Sequence, residues 1–172
     1  WIVFNAAFAT GIDPQYRLNE QGTFKVFLSK FCELDTDKQL DLLVWQNYPQ
    51  AIRVLLDNPY LFQSYWDHQR GQISVEEWKE RFDAGKHNAA KALSSNNTAA
   101  VLGILFNRLY TLRNQLMHGG ATWNSSVNCD QMHDCVQVLG ALVPVISIML
   151  DSPDTLWGDA VYPVVNATEI KV

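Results

Sequence analysis

The sequence predicts an all-α fold, and three observations support this prediction. Several segments repeat apolar residues at steps of three and four, which is the spacing of an amphipathic helix. Side chains that cap helix starts, such as Asp35, Ser74 and Asn97, stand immediately before these segments. Pro and Gly residues stand where the segments end. We therefore expect a helical bundle followed by a short irregular C-terminal tail.

The helix expected at the centre of the bundle runs from Ala99 to Gly120. Its apolar stripe should face the core, and it comprises Leu102, Leu105, Phe106, Leu109, Leu112 and Leu116. Asn97 or Thr98 can cap its start, and Gly119-Gly120 supplies the residues that favour a helix end. Arg108, Arg113, Asn114 and His118 interrupt this otherwise mostly apolar segment.

The remaining helices are predicted from the same signals. We expect them over residues 1–9, 23–34, 38–48, from Pro49 to the Asn58-Pro59 break, 75–93 and 129–150. Asp35-Thr36-Asp37 should cap the third of these, and Ser74 with Glu77 forms a capping-box pattern. In the last helix we expect an inward face of Val136, Leu139, Val143, Ile146 and Leu150, with a kink at Pro144. Residues 152–172 are predicted to form an extended tail.

Two further segments have distinctive side chains. Tyr60, Phe62, Tyr65 and Trp66 form a dense aromatic group, which we interpret as a local core patch. The helix over 75–93 has the most basic residues, namely Lys79, Arg81, Lys86, His87 and Lys91. Two interpretations of these stay open: a solvated face, or a surface that guides phosphate if it adjoins Arg113.

Composition limits the classes of protein that this chain can represent. At 172 residues it is long enough for one domain, and 48% hydrophobic with 12% aromatic residues suffices for a sizeable core. The net charge of -5 argues against coating nucleic acid through bulk charge, but allows a local basic cleft. The longest apolar run, 138–150, is too short to cross a membrane. The sequence opens at Trp1 inside an apolar helical pattern, so we expect residues upstream of it.

The cysteines predict a cytoplasmic protein without a metal centre. Cys32, Cys129 and Cys135 are an odd number and are most simply reduced thiols. Cys129 and His133 share a helix face, but Cys135 lies off it and no fourth ligand is nearby. Because the sequence also lacks a Gly-rich phosphate loop and paired-carboxylate motifs, we predict neither a metal nor a cofactor.

The strongest candidate functional residues lie at the end of the central helix. The partial negative charge of a helix C-terminus favours a protonated imidazole, which makes His118 suitable for proton transfer. Asn114 lies four residues earlier on the same face, so its amide can orient the imidazole of His118. Arg113 lies about 140° around the helix from His118. A second copy of the helix, packed across a twofold axis, would bring Arg and His together more easily.

Arg113-Asn114, three further residues and then His118 resemble the signature of the HEPN superfamily (higher eukaryote and prokaryote nucleotide-binding domains). That signature is an Arg, usually followed by a polar residue, and then a His after four to six residues. The apolar opening WIVFNAAFA, with Asn5 at its middle, also resembles the first helix of several HEPN proteins. The resemblance implies a HEPN-like helical domain over residues 1–151.

The resemblance also implies an activity. HEPN ribonucleases are metal-independent endonucleases with a composite site between two protomers, and many act as toxins or in antiviral defence. In such a site His118 would transfer protons, Arg113 would stabilise charge on the phosphorus centre, and Asn114 would fix the imidazole or the phosphate. Partners would be an RNA substrate, a second copy of the chain and in some cases an antitoxin.

One departure from the family and one alternative limit this expectation. Some HEPN toxins have a Tyr two residues after the His, where a partner antitoxin transfers a nucleotide, but that position here is Gly120. That form of regulation is therefore not expected. Other HEPN domains are noncatalytic dimerisation or nucleotide-binding modules, and the acidic net charge suits that alternative.

Overall fold

The computed structural model describes residues 20–118 and 129–150, and the regular structure in these ranges is entirely helical. The helices are α1 (Glu20–Leu34), α2 (Gln39–Leu42), α3 (Pro49–Asp57), α4 (Gln63–Gln69), α5 (Val75–Ser94), α6 (Thr98–Met117) and α7 (Cys129–Leu150), with a π-helical turn (Leu43–Asn47) and a 3-10 turn (Pro59–Leu61). The all-α prediction is confirmed. The predictions for the helix over 1–9, the glycine pair 119–120 and the tail over 152–172 lie outside the described residues.

Helix α6 is the centre of the bundle. It packs against α1, α3, α5 and the 3-10 turn, and eleven of its twenty residues are buried. The predicted apolar stripe is confirmed from Leu102 to Leu112. It is wrong for Leu116, which is 45% exposed, because the buried face steps by three residues from Leu112 to Gln115. A polar side chain thus takes the last core position of α6.

The start of α6 is held by two polar contacts. The Asn97 side chain accepts a hydrogen bond from the Ala100 N–H at 2.9 Å, which confirms it as the N-cap. Thr98 has a different role, because its hydroxyl accepts from the Trp45 indole at 2.9 Å and donates to the Asp41 carboxylate. These bonds join α6 to α2 and to the π-helical turn.

The predicted helix over 38–48 is divided into α2 and the π-helical turn. Lys38 precedes α2 in the left-handed conformation, with φ 58°. The Asp35 carboxylate accepts from the Gln39 and Leu40 N–H groups at 2.9 and 2.7 Å, so the predicted cap is confirmed and lies at Asp35. Pro49 then begins α3, as predicted.

The aromatic side chains between α3 and α6 form one cluster, as expected. Tyr65 is at its centre, with ring centroids 5.2 Å from Tyr60, 5.3 Å from Trp66 and 5.4 Å from Trp78, all in edge-to-face arrangement. Phe62 packs edge-on against Phe82 at 4.7 Å. The cluster therefore joins α4 to α5 through two aromatic rings, on Trp78 and Phe82, that the sequence grouping had not included.

The inward face of α7 is shifted from the predicted one. Val136 is 64% exposed, whereas Cys135, Val138, Leu142 and Ile146 are buried against α2 and α3. The prediction is confirmed for Ile146, and Leu139 is partly buried against the core, but it is wrong for Val136. Because α7 is apolar on most sides, its periodicity does not determine which side faces the core. The helix continues through Pro144.

None of the helices in the two described ranges combines the length and the apolar character needed to cross a lipid bilayer.

Gly85 allows α5 to approach Phe62 closely. A Cβ atom at this position would overlap the Phe62 ring at Cε1 and lie 3.0 Å from Cζ. Phe62 cannot move aside, because it is 5% exposed and held between Phe82 and Arg108. A Cβ at Gly140 on α7, by contrast, would meet no atom within 4 Å.

We expect Gly85→Ala to lower the free energy of unfolding by about 1–3 kcal/mol through overpacking. The matched control, Gly140→Ala, should leave it unchanged or raise it by up to about 1 kcal/mol, because Ala is the better helix former. Urea denaturation of both variants tests this. Equal stabilities of the two variants would contradict the close packing at Gly85.

Candidate functional site

The three candidate residues lie at the C-terminal end of α6. Arg113 and Asn114 are in its last two turns, and His118 follows Met117 as the C-terminal capping residue. The backbone N–H of His118 donates to the Asn114 carbonyl at 3.0 Å, which is the last hydrogen bond of the helix. His118 is therefore positioned by the helix itself.

Arg113 and Asn114 are brought together by a side-chain hydrogen bond. The Arg113 Nη1 donates to the Asn114 Oδ1 at 3.1 Å, and both residues are half-buried. No carboxylate in the described ranges pairs with Arg113. Its guanidinium is thus held in place by a neutral amide and keeps its charge for an incoming anion.

Asn114 lies between Arg113 and His118 around the helix. Successive residues turn by about 100°, so Asn114 is about 40° from His118 and Arg113 is about 140° from it. The hydrogen bond from Arg113 to Asn114 holds the guanidinium against the residue that lies between these two positions. Asn114 therefore orients the arginine, whereas the sequence had suggested the imidazole or the phosphate as its partner.

His118 is exposed and stays apart from the other two side chains. Among the described residues its ring has no hydrogen-bond partner. The neighbouring Leu116 and Met117 are 45% and 67% exposed, so apolar surface surrounds the helix end. Within one chain, a side-chain hydrogen bond joins Arg113 to Asn114, whereas no hydrogen bond among the described residues joins either side chain to the His118 ring.

Gln115 is a positioning residue that the sequence interpretation missed. Its Nε2 donates to the Tyr60 carbonyl at 2.6 Å, and the Trp66 indole donates to the same oxygen at 2.7 Å. Gln115 is 7% exposed, so this bond fixes the end of α6 against the 3-10 turn. One sequence signal could have identified Gln115: it is a polar residue three positions after Leu112, where the helical spacing of the apolar stripe places the next buried residue.

Arg108 is a buried cation without a carboxylate partner in the described part of the chain. It is 9% exposed, and its guanidinium carbon lies 3.2 Å from the centroid of the Phe62 ring. Its Nε is buried without a hydrogen-bond acceptor. Burial lowers the pKa of Arg108 to about 10. The face of the Phe62 ring is the favourable contact that the described residues give this charge.

The basic helix α5 has mixed charge in the structure. Its acidic residues alternate with its basic ones, and Arg81 pairs with Glu77 at 2.6 Å while Lys86 pairs with Asp57 at 3.2 Å. These contacts favour the interpretation of α5 as a solvated face over that of a phosphate-guiding surface.

The surroundings of the two described cysteine thiols, Cys32 and Cys135, disfavour the thiolate form. Burial, with smaller effects from nearby carboxylates, raises the pKa of Cys32 to about 11 and that of Cys135 to about 12. Cys135 is buried, whereas His133 is exposed and pairs with the Gln137 amide at 2.8 Å. Cys135 and His133 therefore do not face a common metal position.

Comparison of this chain with protein-family models, with curated proteins and with solved structures finds no match.

We expect Arg108→Met to raise the free energy of unfolding by roughly 1 kcal/mol at neutral pH, because Met keeps the contact with Phe62 and removes the uncompensated charge. The advantage of Met should shrink above about pH 10, where the folded guanidinium loses its proton while the unfolded one keeps it. Urea denaturation at several pH values measures both effects.

Arg108→Ala is the control for packing at this position. It should lower stability by about 2–3 kcal/mol, because it removes the charge but leaves a cavity beside Phe62. If Arg108→Met proves as destabilising as Arg108→Ala, the cation–π contact outweighs the cost of burying the charge.

Proposed function

We propose that this protein is a metal-independent endoribonuclease of the HEPN type that acts as a homodimer in the cytoplasm, in toxin or antiviral-defence systems. The proposal rests on the Arg113-Asn114-x3-His118 pattern, on its resemblance to the HEPN signature and on the side chains at the end of α6. A separate protein partner such as an antitoxin would regulate it by a route that does not use position 120.

The observation that carries the proposal is the half-buried Arg113 guanidinium. It has no carboxylate partner in the described ranges and is held by the Asn114 amide at 3.1 Å. Unlike Arg108, which is buried against Phe62, Arg113 is only half-buried, so an incoming anion can reach its guanidinium. A guanidinium held by a neutral group, next to an exposed imidazole, is suited to binding a phosphodiester.

The reaction needs no metal. A base removes the proton of the ribose 2′-hydroxyl, whose oxygen forms a bond to phosphorus while the bond from phosphorus to the 5′-oxygen breaks. The products are a 2′,3′-cyclic phosphate and a 5′-hydroxyl, which takes its proton from an acid. His118 performs the proton transfers, and Arg113 stabilises the negative charge that develops on the phosphorane oxygens.

A second copy of the chain completes this site. Arg113 and His118 point about 140° apart on one helix, so one phosphate meets both groups more easily when two α6 ends face each other. Leu116 and Met117, which are 45% and 67% exposed, supply apolar surface for that contact. The twofold contact would then place the Arg113 of one copy beside the His118 of the other.

The alternative is a noncatalytic helical interaction module. The exposed Leu116 and Met117 also favour this reading, since they would form a contact surface whether or not Arg113 and His118 react with RNA. The two functions differ in whether purified protein cleaves RNA.

We expect purified protein to cleave single-stranded RNA in the presence of EDTA, and Arg113→Ala and His118→Ala each to reduce the rate by at least about 100-fold. Both positions carry exposed or half-buried side chains, so melting temperature and oligomeric state should not change. Gel analysis of labelled RNA, with calorimetry and light scattering on each variant, measures these quantities.

Arg81→Ala and His87→Ala on the solvated face of α5 are matched controls, because they remove the same groups elsewhere and should keep full activity. Cleavage that persists in the Arg113 and His118 variants would indicate a contaminating nuclease. A dimer that binds RNA without cleaving it would instead support the noncatalytic interaction module.

A further inference from the structure

An open groove of about 460 Å³ lies between α3 and the turn that follows it. One wall is an outward stripe of α3, formed by Gln50, Arg53, Val54 and Asp57 at helical spacing, and the other is the turn over 58–60. This volume is within the range of about 300–1,000 Å³ typical of sites for small ligands. The residues that line the groove include both apolar and polar side chains.

Arg53 gives the groove an uncompensated positive charge. Asp57 is one helical turn away and would be its natural partner, but the Asp57 carboxylate pairs with Lys86 on α5 at 3.2 Å. Arg53 is exposed and forms no ion pair with any other described residue. Asp57, which supplies the one carboxylate among the lining residues of the groove, therefore pairs with a lysine that lies outside the groove. The Arg53 guanidinium remains available to bind a phosphate.

Tyr60 gives the groove a fixed aromatic side chain. Its N–H donates to the buried Asn58 side chain at 2.9 Å, and its carbonyl accepts from both Gln115 and Trp66. Its ring is half-buried and packs edge-on against Tyr65. A ring whose backbone is held by three hydrogen bonds loses little entropy when a nucleobase stacks on it.

The groove lies beside the end of α6 because of the bond between Gln115 and Tyr60. Gln115 belongs to the last turn of α6, so the Tyr60 backbone contacts the same helix end that carries the candidate residues. The same bond connects the position of Tyr60 to that of the candidate site.

We propose that this groove binds single-stranded RNA, with a nucleobase on Tyr60, its phosphate on Arg53 and a base edge on the Gln50 amide. The inference rests on the proposed function, which supplies RNA as the ligand. It adds a binding subsite on α3 and the 3-10 turn, outside the Arg113-Asn114-His118 group.

The test measures binding of a fluorescein-labelled 2′-O-methyl RNA oligonucleotide to the full chain by fluorescence anisotropy. This probe lacks the nucleophilic hydroxyl, so it binds without being cut. Arg53→Gln and Tyr60→Leu should each weaken binding at least fivefold, whereas Tyr60→Phe should keep wild-type affinity. Arg53→Gln should also reduce the dependence of log K on log salt by about 0.7.

Arg81→Gln on α5 is the matched control for charge, and melting temperatures control for folding of each variant. If Arg53→Gln and Tyr60→Leu bind as wild type does, or weaken binding no more than Arg81→Gln, the groove proposal is overturned. Absence of binding by wild-type protein overturns it as well.

Cleavage assays on the same variants separate this proposal from the proposed function. Cleavage that depends on Arg113 and His118 but not on Arg53 or Tyr60 would support the proposed nuclease function and contradict the groove proposal. RNA binding that depends on Arg53 and Tyr60, without any cleavage, would support the groove proposal and contradict the proposed nuclease function.

Discussion

The burial of α6 is the constraint on which the rest of the structure depends. More than half of its residues are inaccessible to solvent, so its polar side chains must find partners within the protein. Thr98 does so with Trp45 and Asp41, whereas Gln115 pairs its Nε2 with the Tyr60 carbonyl and leaves its buried Oε1 without a partner among the described residues. Arg108, which finds only a ring, is the one side chain of this set whose charge is uncompensated within the described part of the chain. These partners fix the helix along its axis, and thereby fix where its last residue reaches the surface.

Much of the fold could be predicted from the sequence because local signals and helical spacing agree. Asp35, Ser74 and Asn97 each accept the hydrogen bond expected of a cap. The predictions fail where the spacing of apolar residues does not single out one face of a helix, or where no local signal marks a change of helix type. Helix α7 is apolar on most sides, so Val136 was assigned to the core, and no local signal marks the π-helical turn after Leu42.

The candidate site could be predicted in position but not in geometry. Arg113, Asn114 and His118 lie at the helix end as expected, yet the partner of Asn114 is Arg113, since one residue of separation lets a long side chain turn back. The contact between Gln115 and Tyr60 was not predicted, because it spans 55 positions in the sequence. Long-range contacts of this kind follow from tertiary packing, which periodicity along a single chain segment does not encode.

Two indole hydrogen bonds have a spectroscopic consequence. Trp45 donates to Thr98 at the first residue of α6, and Trp66 donates to the carbonyl that also receives Gln115 near the last. Opening of the first turn of α6 would separate Thr98 from Trp45 and break that indole bond. Trp66 and its acceptor both lie outside α6, so opening of the last turn would remove Gln115 from the shared carbonyl and leave the Trp66 bond in place. The emission of Trp45 would therefore report fraying at the start of the central helix, and that of Trp66 would not change with it.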